Sequence, residues 1–169
     1  STDNAEIRNN TVEVTDLGIA ISTFFGNATG NTIEGNDVSS TNSTGIQVGT
    51  NTLEEPGQNS ASDTDIIDNT VEDSATGLGI RDFGGAGISG TNVSDNDFVD
   101  NGVHVNVNAP GGKVNFVENQ IKQGETGIAV DATNSADRIN IDSVTINGTN
   151  TAGIDVDGVN ANAAVNVTN

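Results

Sequence analysis

Apolar and polar residues alternate along this chain in short runs, and the runs come in matched pairs. IIDNTV places Ile66 and Val71 on either side of an Asp-Asn pair, and GLGI from Gly77 then adds Leu78 and Ile80 two residues apart. A two-residue period sends alternate side chains to one face of a β-strand. The same unit recurs as IRNNTV from Ile7 with GIAI from Gly18, and as IEGNDV from Ile33 with GIQV from Gly45. VSDNDF from Val93 pairs with GVHV from Gly102, and FVENQI from Phe116 with GIAV from Gly127. A sixth copy, IDSVTI from Ile141 with GIDV from Gly153, has Val144 in place of Asn, and a seventh starts at AVNVTN. The leading glycines Gly18, Gly45, Gly77, Gly102, Gly127 and Gly153 stand 27, 32, 25, 25 and 26 residues apart. Two short strands in a period near 25 predict one solenoid turn per copy.

Leucine-rich repeats need Leu at fixed offsets, and the chain has three Leu. Propeller blades need about 40 residues or more. The remaining solution is an all-β parallel β-helix, in which equivalent strands of successive turns pair about 4.8 Å apart. The pattern resembles the right-handed parallel β-helix repeats of the pectin-lyase-like superfamily, from about Ala5 to Asn169, with no specific enzyme family matched. The resemblance implies a right-handed solenoid of six to seven coils in a single domain, 1–169. It leaves activity open, because one fold hosts many functions.

Each repeated position then has a physical role. Ile66, Val71, Leu78 and Ile80 point inward and stack on their counterparts. Asn10, Asn36, Asn69, Asn96 and Asn119 fall where the chain turns a corner, and Asn tolerates left-handed backbone. Stacked Asn amides can also hydrogen-bond along the ladder. The glycines open the next strand where a neighbouring turn leaves no room for a side chain. All eleven are expected to be structural, and no catalytic residue is assigned.

Composition agrees. Ile and Val together number 33, with five Phe and no Met, Trp, Tyr or Cys, beside 25 Asn and 21 Gly. β-Branched residues suit pleated surfaces, and Asn and Gly suit turns. The charge narrows the partners: 24 acids against five Lys and Arg give −19. Such a surface repels phosphate backbones and anionic membranes, so neither nucleic acid nor membrane insertion is expected. High salt would screen the self-repulsion, and calcium outside the cell would neutralise it.

Candidate chemistry must sit on outward positions and loops. The outward column of the Gly-led strand is expected to run Ala20, Gln47, Gly79, His104, Ala129 and Asp155, leaving His104 in solvent. Lyases and epimerases of the superfamily line such a face with carboxylates and bases, but here the neighbours are Ala and Gly. Asp68, Asp95 and Glu118 are expected on consecutive turns with Asp97 beside them, and Asp131, Asp155 and Asp157 form a second acidic group. Either is a candidate Ca²⁺ site, since hard cations take carboxylate oxygens. The longer loops of the first three turns carry Phe24, Phe25, Phe83 and Arg81, candidates for contact with a partner or a sugar.

The ends carry a further expectation. An uncapped β-helix exposes strand edges and apolar interior, so the chain is either a segment of a longer protein or a protomer that self-associates end to end. The expected function is therefore a non-enzymatic structural or adhesive module, extracellular or at a cell surface. The alternatives are a carbohydrate-active or carbohydrate-binding domain and a viral surface fibre.

Overall fold

Strand after strand, the alternating runs stack in register into a parallel β-solenoid of about six turns. The structure, a computed structural model, describes residues 2–14, 16–23, 26–40, 42–51, 59–84, 86–108 and 110–169. The first turn holds β1 (Thr2–Asp3), β2 (Glu6–Arg8), β3 (Thr11–Val14) and β4 (Ile19–Thr23). The second holds β5 (Ala28–Thr29), β6 (Thr32–Glu34), β7 (Asp37–Ser40) and β8 (Thr44–Asn51). The third holds β9 (Ser60–Ser62), β10 (Asp65–Ile67), β11 (Thr70–Glu72) and β12 (Thr76–Phe83). The fourth holds β13 (Gly87–Ser89), β14 (Thr91–Ser94), β15 (Asp97–Val99) and β16 (Val103–Asn108). The fifth has β17 (Lys113–Val117), β18 (Gln120–Lys122) and β19 (Thr126–Asp131). The sixth has β20 (Arg138–Asp142), β21 (Thr145–Asn147) and β22 (Ala152–Asp157), and β23 (Ala164–Thr168) opens a seventh.

Each turn therefore has three or four strands, not the two that the pattern predicts. They form four parallel sheets: A (β1-β5-β9-β13), B (β2-β6-β10-β14-β17-β20-β23), C (β3-β7-β11-β15-β18-β21) and D (β4-β8-β12-β16-β19-β22). The strands of sheet A escape a periodicity search because they recur in only four turns and their inward residues, Ala28, Ala61 and Ile88, do not repeat one bulky apolar type. Sheet A stops after four turns. Beyond it, buried Asp137 ties irregular chain together by accepting the Gly111 and Asn134 amides at 2.7 and 2.9 Å.

Inward columns make the core. Ile33, Ile66 and Val93 are fully buried, as are Val38, Val71 and Phe98 on the next sheet and Val48, Ile80 and Val107 on the one after. The repeat sends each apolar residue onto its counterpart one strand spacing away, so a single register serves the whole interior.

Corners are built differently from the expectation. The left-handed residue is the one before each ladder Asn: Asn9, Asp68, Asp95, Glu118 and Ser143 have φ of 54–59°, with Gly35 at 63° completing the column. Asp73, Asp100 and Gln123 make a matching column at the next corner, with φ of 51–61°. The ladder Asn itself bonds in both directions. Asn69 Nδ2 donates to Asn96 Oδ1 at 2.9 Å and to the Ile33 carbonyl of the preceding turn at 3.0 Å. Its Oδ1 accepts the Asn36 backbone amide and Nδ2, both at 2.9 Å. The chain of amides runs from Asn10 through Asn36, Asn69 and Asn96 to Asn119, and ends where Val144 offers no amide.

Candidate functional site

Sheet D offers the broadest run of outward positions, and register decides which residues occupy them. Thr76 pairs with Val103, Leu78 with Val105 and Gly79 with Asn106. The outward column is therefore Ala20, Gln47, Gly79, Asn106, Ala129 and Asp155. Asn106 replaces His104 in it, and Gly102 falls two residues short of the glycine column. GVHV resembles the other Gly-led runs, but the corner fixes the register. Counting eight residues on from Asn10, Asn69, Asn96 and Asn119 gives Gly18, Gly77, His104 and Gly127.

His104 thus occupies the slot that Gly fills in the other turns, and it is buried. Its Nε2 donates to the Gln123 carbonyl at 2.6 Å, which leaves Nδ1 to accept from Asn101 Nδ2 at 3.2 Å. The Asn101 amide cannot turn over, because its Oδ1 accepts the Ser74 amide and its Nδ2 also donates to the Val71 carbonyl. Burial lowers the His104 pKa, against the raising effects of the Gln123 carbonyl and Asp100. A neutral, enclosed imidazole with both nitrogens engaged fills space and closes a corner.

Close approach explains the glycines around it. A Cβ on Gly77 would lie 2.6 Å from the His104 carbonyl oxygen, and one on Gly45 2.4 Å from Val71 Cγ1. A Cβ on Gly18 or Gly127 would likewise run into the carbonyl oxygen of Gly45 or Gly153. Gly153, in the last full turn, has nothing closer than 3.9 Å.

No known family model, curated protein or solved structure matches this chain.

The two acidic groups part company. Asp68, Asp95 and Glu118 do stack at one corner, through backbone bonds from Asp68 N to Ser94 O, Asp95 N to Val117 O and Glu118 N to Asp142 O. Asp97 belongs to sheet C instead, and its Oδ2 takes the Lys122 ammonium at 2.7 Å. On sheet D, Asp131 pairs with Asp157 and Ala129 with Asp155. There, Asn106, Asn108, Asp131, Asp155 and Asp157 line a shallow groove of about 220 Å³. Asp131 Oδ1 is buried without a hydrogen-bond partner. Among the described residues, no three Asp, Glu or His side chains converge to hold a metal ion.

Arg81 stands in the next outward column, in line with Asn108, Asp131 and Asp157. Phe83, at the end of β12, is 53% exposed. Phe24 and Phe25 lie outside the described residues. Sequence reasoning passed over two residues that organise the molecule: Asp137, and Asn101, which ties the second corner by accepting the Ser74 amide and donating to the Val71 carbonyl. Both are polar residues in loop-like stretches, and neither stands at a repeated motif position.

Proposed function

We propose that this protein is a non-enzymatic structural or adhesive module, working outside the cell or at its surface and assembling end to end. The supporting observation is the state of the last turns. Inward residues of interior turns are covered from above and below, whereas Val156 and Val167, which continue those same columns, are 40% and 55% exposed. Among the described residues, the strands β21, β22 and β23 pair on one side only, as do β2, β3 and β4 at the other end. Because every turn pairs in parallel with the next, one end presents the complement of the other. A second copy stacked head to tail would pair the edges and cover the apolar columns.

The charge of −19 per copy sets the conditions. Copies repel one another at low ionic strength, and salt or divalent cations remove that barrier. Electron microscopy of the purified chain should show short single particles at low salt and rods that lengthen with salt or calcium. Particles of one size under every condition would end this reading.

A second reading rests on the sheet D groove. Amides and carboxylates spaced by the strand repeat suit the hydroxyls of a neutral carbohydrate, and the parallel β-helix resemblance of the sequence extends to carbohydrate-active proteins. Glycan binding lost on Asn106→Ala or Asp131→Ala would favour it. Turnover of a polysaccharide, abolished by Arg81→Ala, would make the protein an enzyme.

A further inference from the structure

Sheet B is the longest sheet, and its outward face differs from the rest of the surface. One column runs Glu6, Thr32, Asp65, Asn92, Asn115, Asn140 and Asn166. Its upper part is a second amide ladder, exposed or half-exposed rather than buried. Asn166 Nδ2 donates to Asn140 Oδ1 at 3.0 Å, Asn140 to Asn115 at 2.8 Å, Asn115 to Asn92 at 2.8 Å, and Asn92 to Asp65 Oδ1 at 2.9 Å. The neighbouring column runs Arg8, Glu34, Ile67, Ser94, Val117, Asp142 and Thr168. Lys113 and Arg138 pair at the other flank.

On a chain of charge −19, this face holds three of the five cations (Arg8, Lys113 and Arg138) against five acids (Glu6, Glu34, Asp63, Asp65 and Asp142). It is therefore close to neutral, and two copies repel least if they meet here. The charges are also unevenly placed. Glu6, Glu34 and Asp65 lie in the first three turns, and Lys113 and Arg138 lie in the fifth and sixth.

We propose that two copies of the chain pair laterally through sheet B, about a two-fold axis that runs along the strands at the level of Asn92. That axis sets turn three against turn five. Ile67 then faces Val117, which is 36% exposed, and Asp65 faces the Asn115 amide. Asp63, two residues before Asp65, faces Lys113. Thr32 meets Asn140, and Glu6 meets Asn166. One contact opposes the arrangement, Glu34 against Asp142, and the Arg8 guanidinium already ion-paired to Glu34 offsets it. A two-fold along the solenoid axis fits worse, since it sets Glu6 and Asp65 against their own copies. Every contact in an isologous pair occurs twice, so the favourable ones count double.

Seven strands at about 4.8 Å and about five residues at 3.3 Å give a face of roughly 500 Å². The pair buries roughly 1,000 Å², the lower bound for a specific interface, so the dimer is weak and tightens with salt. This contact uses the outward side chains of sheet B, whereas end-to-end stacking uses strand edges and the inward columns of the last turns.

Sedimentation equilibrium at high salt tests it. In the Val156→Asp chain, whose end is changed so that stacking is blocked, the expected result is a monomer–dimer equilibrium that a further Val117→Asp weakens at least tenfold. Lys113→Asp should weaken it likewise, and Asp63→Lys added to Lys113→Asp should restore it. If the double variant fails to fold, the Cys-free chain permits a second measurement. A mixture of Ile67→Cys and Val117→Cys proteins should cross-link faster with a short bis-maleimide than either alone. A Val156→Asp chain that stays monomeric at all concentrations, indifference to Val117→Asp, a folded charge swap that does not restore pairing, or a mixture with no cross-linking preference would each overturn the proposal.

Discussion

His104 is one imidazole in a column otherwise made of glycine, and its surroundings admit only the neutral ring. Protonating Nδ1 would set an N–H against Asn101 Nδ2, whose own orientation is locked by Ser74 and Val71. The folded-state pKa lies below the ordinary value of 6.5, so the unfolded chain takes up the proton first. Its contribution to stability is complete above pH 6.5 and declines as pH falls from there toward the folded value. Carboxylate protonation changes stability in the same range, so the comparison must be with a variant. The urea midpoint of the wild type should fall relative to His104→Gln between pH 7.5 and 5, and parallel profiles would refute the assignment. The buried Asn ladder gives a second prediction at this scale. Asn69→Ala strands the Asn36 amide and the Ile33 carbonyl, at about 1–3 kcal/mol for each buried group left unpaired. Asn10→Ala, at the exposed end of the ladder, should cost under 1 kcal/mol. Denaturant melts of the two variants would show that order or contradict it.

Within an element, the decisive quantity is how closely one turn lies on the next. Gly77→Ala drives a methyl against the His104 carbonyl oxygen, and overpacking of this kind costs about 1–3 kcal/mol. Gly153→Ala meets nothing closer than 3.9 Å and should change stability by about 0.5 kcal/mol or less. Equal thermal shifts for the two would mean that the glycines serve backbone freedom rather than close approach. The strands of sheets B, C and D were legible in the sequence, because Ile66, Val71, Leu78 and Ile80 repeat with a fixed period. The strands of sheet A were not, since they recur in four turns only and place small Ala28 and Ala61 where the other sheets repeat Ile, Val or Phe. The corners were half legible. Asn marked their position, but the left-handed backbone falls one residue earlier, on side chains as different as Asp68, Glu118 and Ser143. Register failed at one place, where Gly102 offered a better-looking motif than the correct His104.

Over the whole molecule, charge and ends govern behaviour, and neither depends on the details of the core. The acidic groups that sequence suggested as one cation site divide between a corner (Asp68, Asp95, Glu118) and a Lys122-paired strand position (Asp97), because adjacent residues in a sharp turn can belong to different sheets. Asp131, Asp155 and Asp157 stay together, since all three lie on paired strands of one sheet. A repeat protein of this kind is a one-dimensional stack in which each turn is stabilised by its neighbours. Its terminal turns are therefore the weakest part of the isolated chain and the part that stacking changes most. Hydrogen exchange followed as a function of protein concentration, at a salt concentration that screens the charge, measures this directly. The account predicts that amides of β2, β3 and β4 and of β21, β22 and β23 become slower to exchange as concentration rises, while those of β10, β11 and β12 stay constant. Exchange at both ends that is fast and independent of concentration would contradict end-to-end assembly.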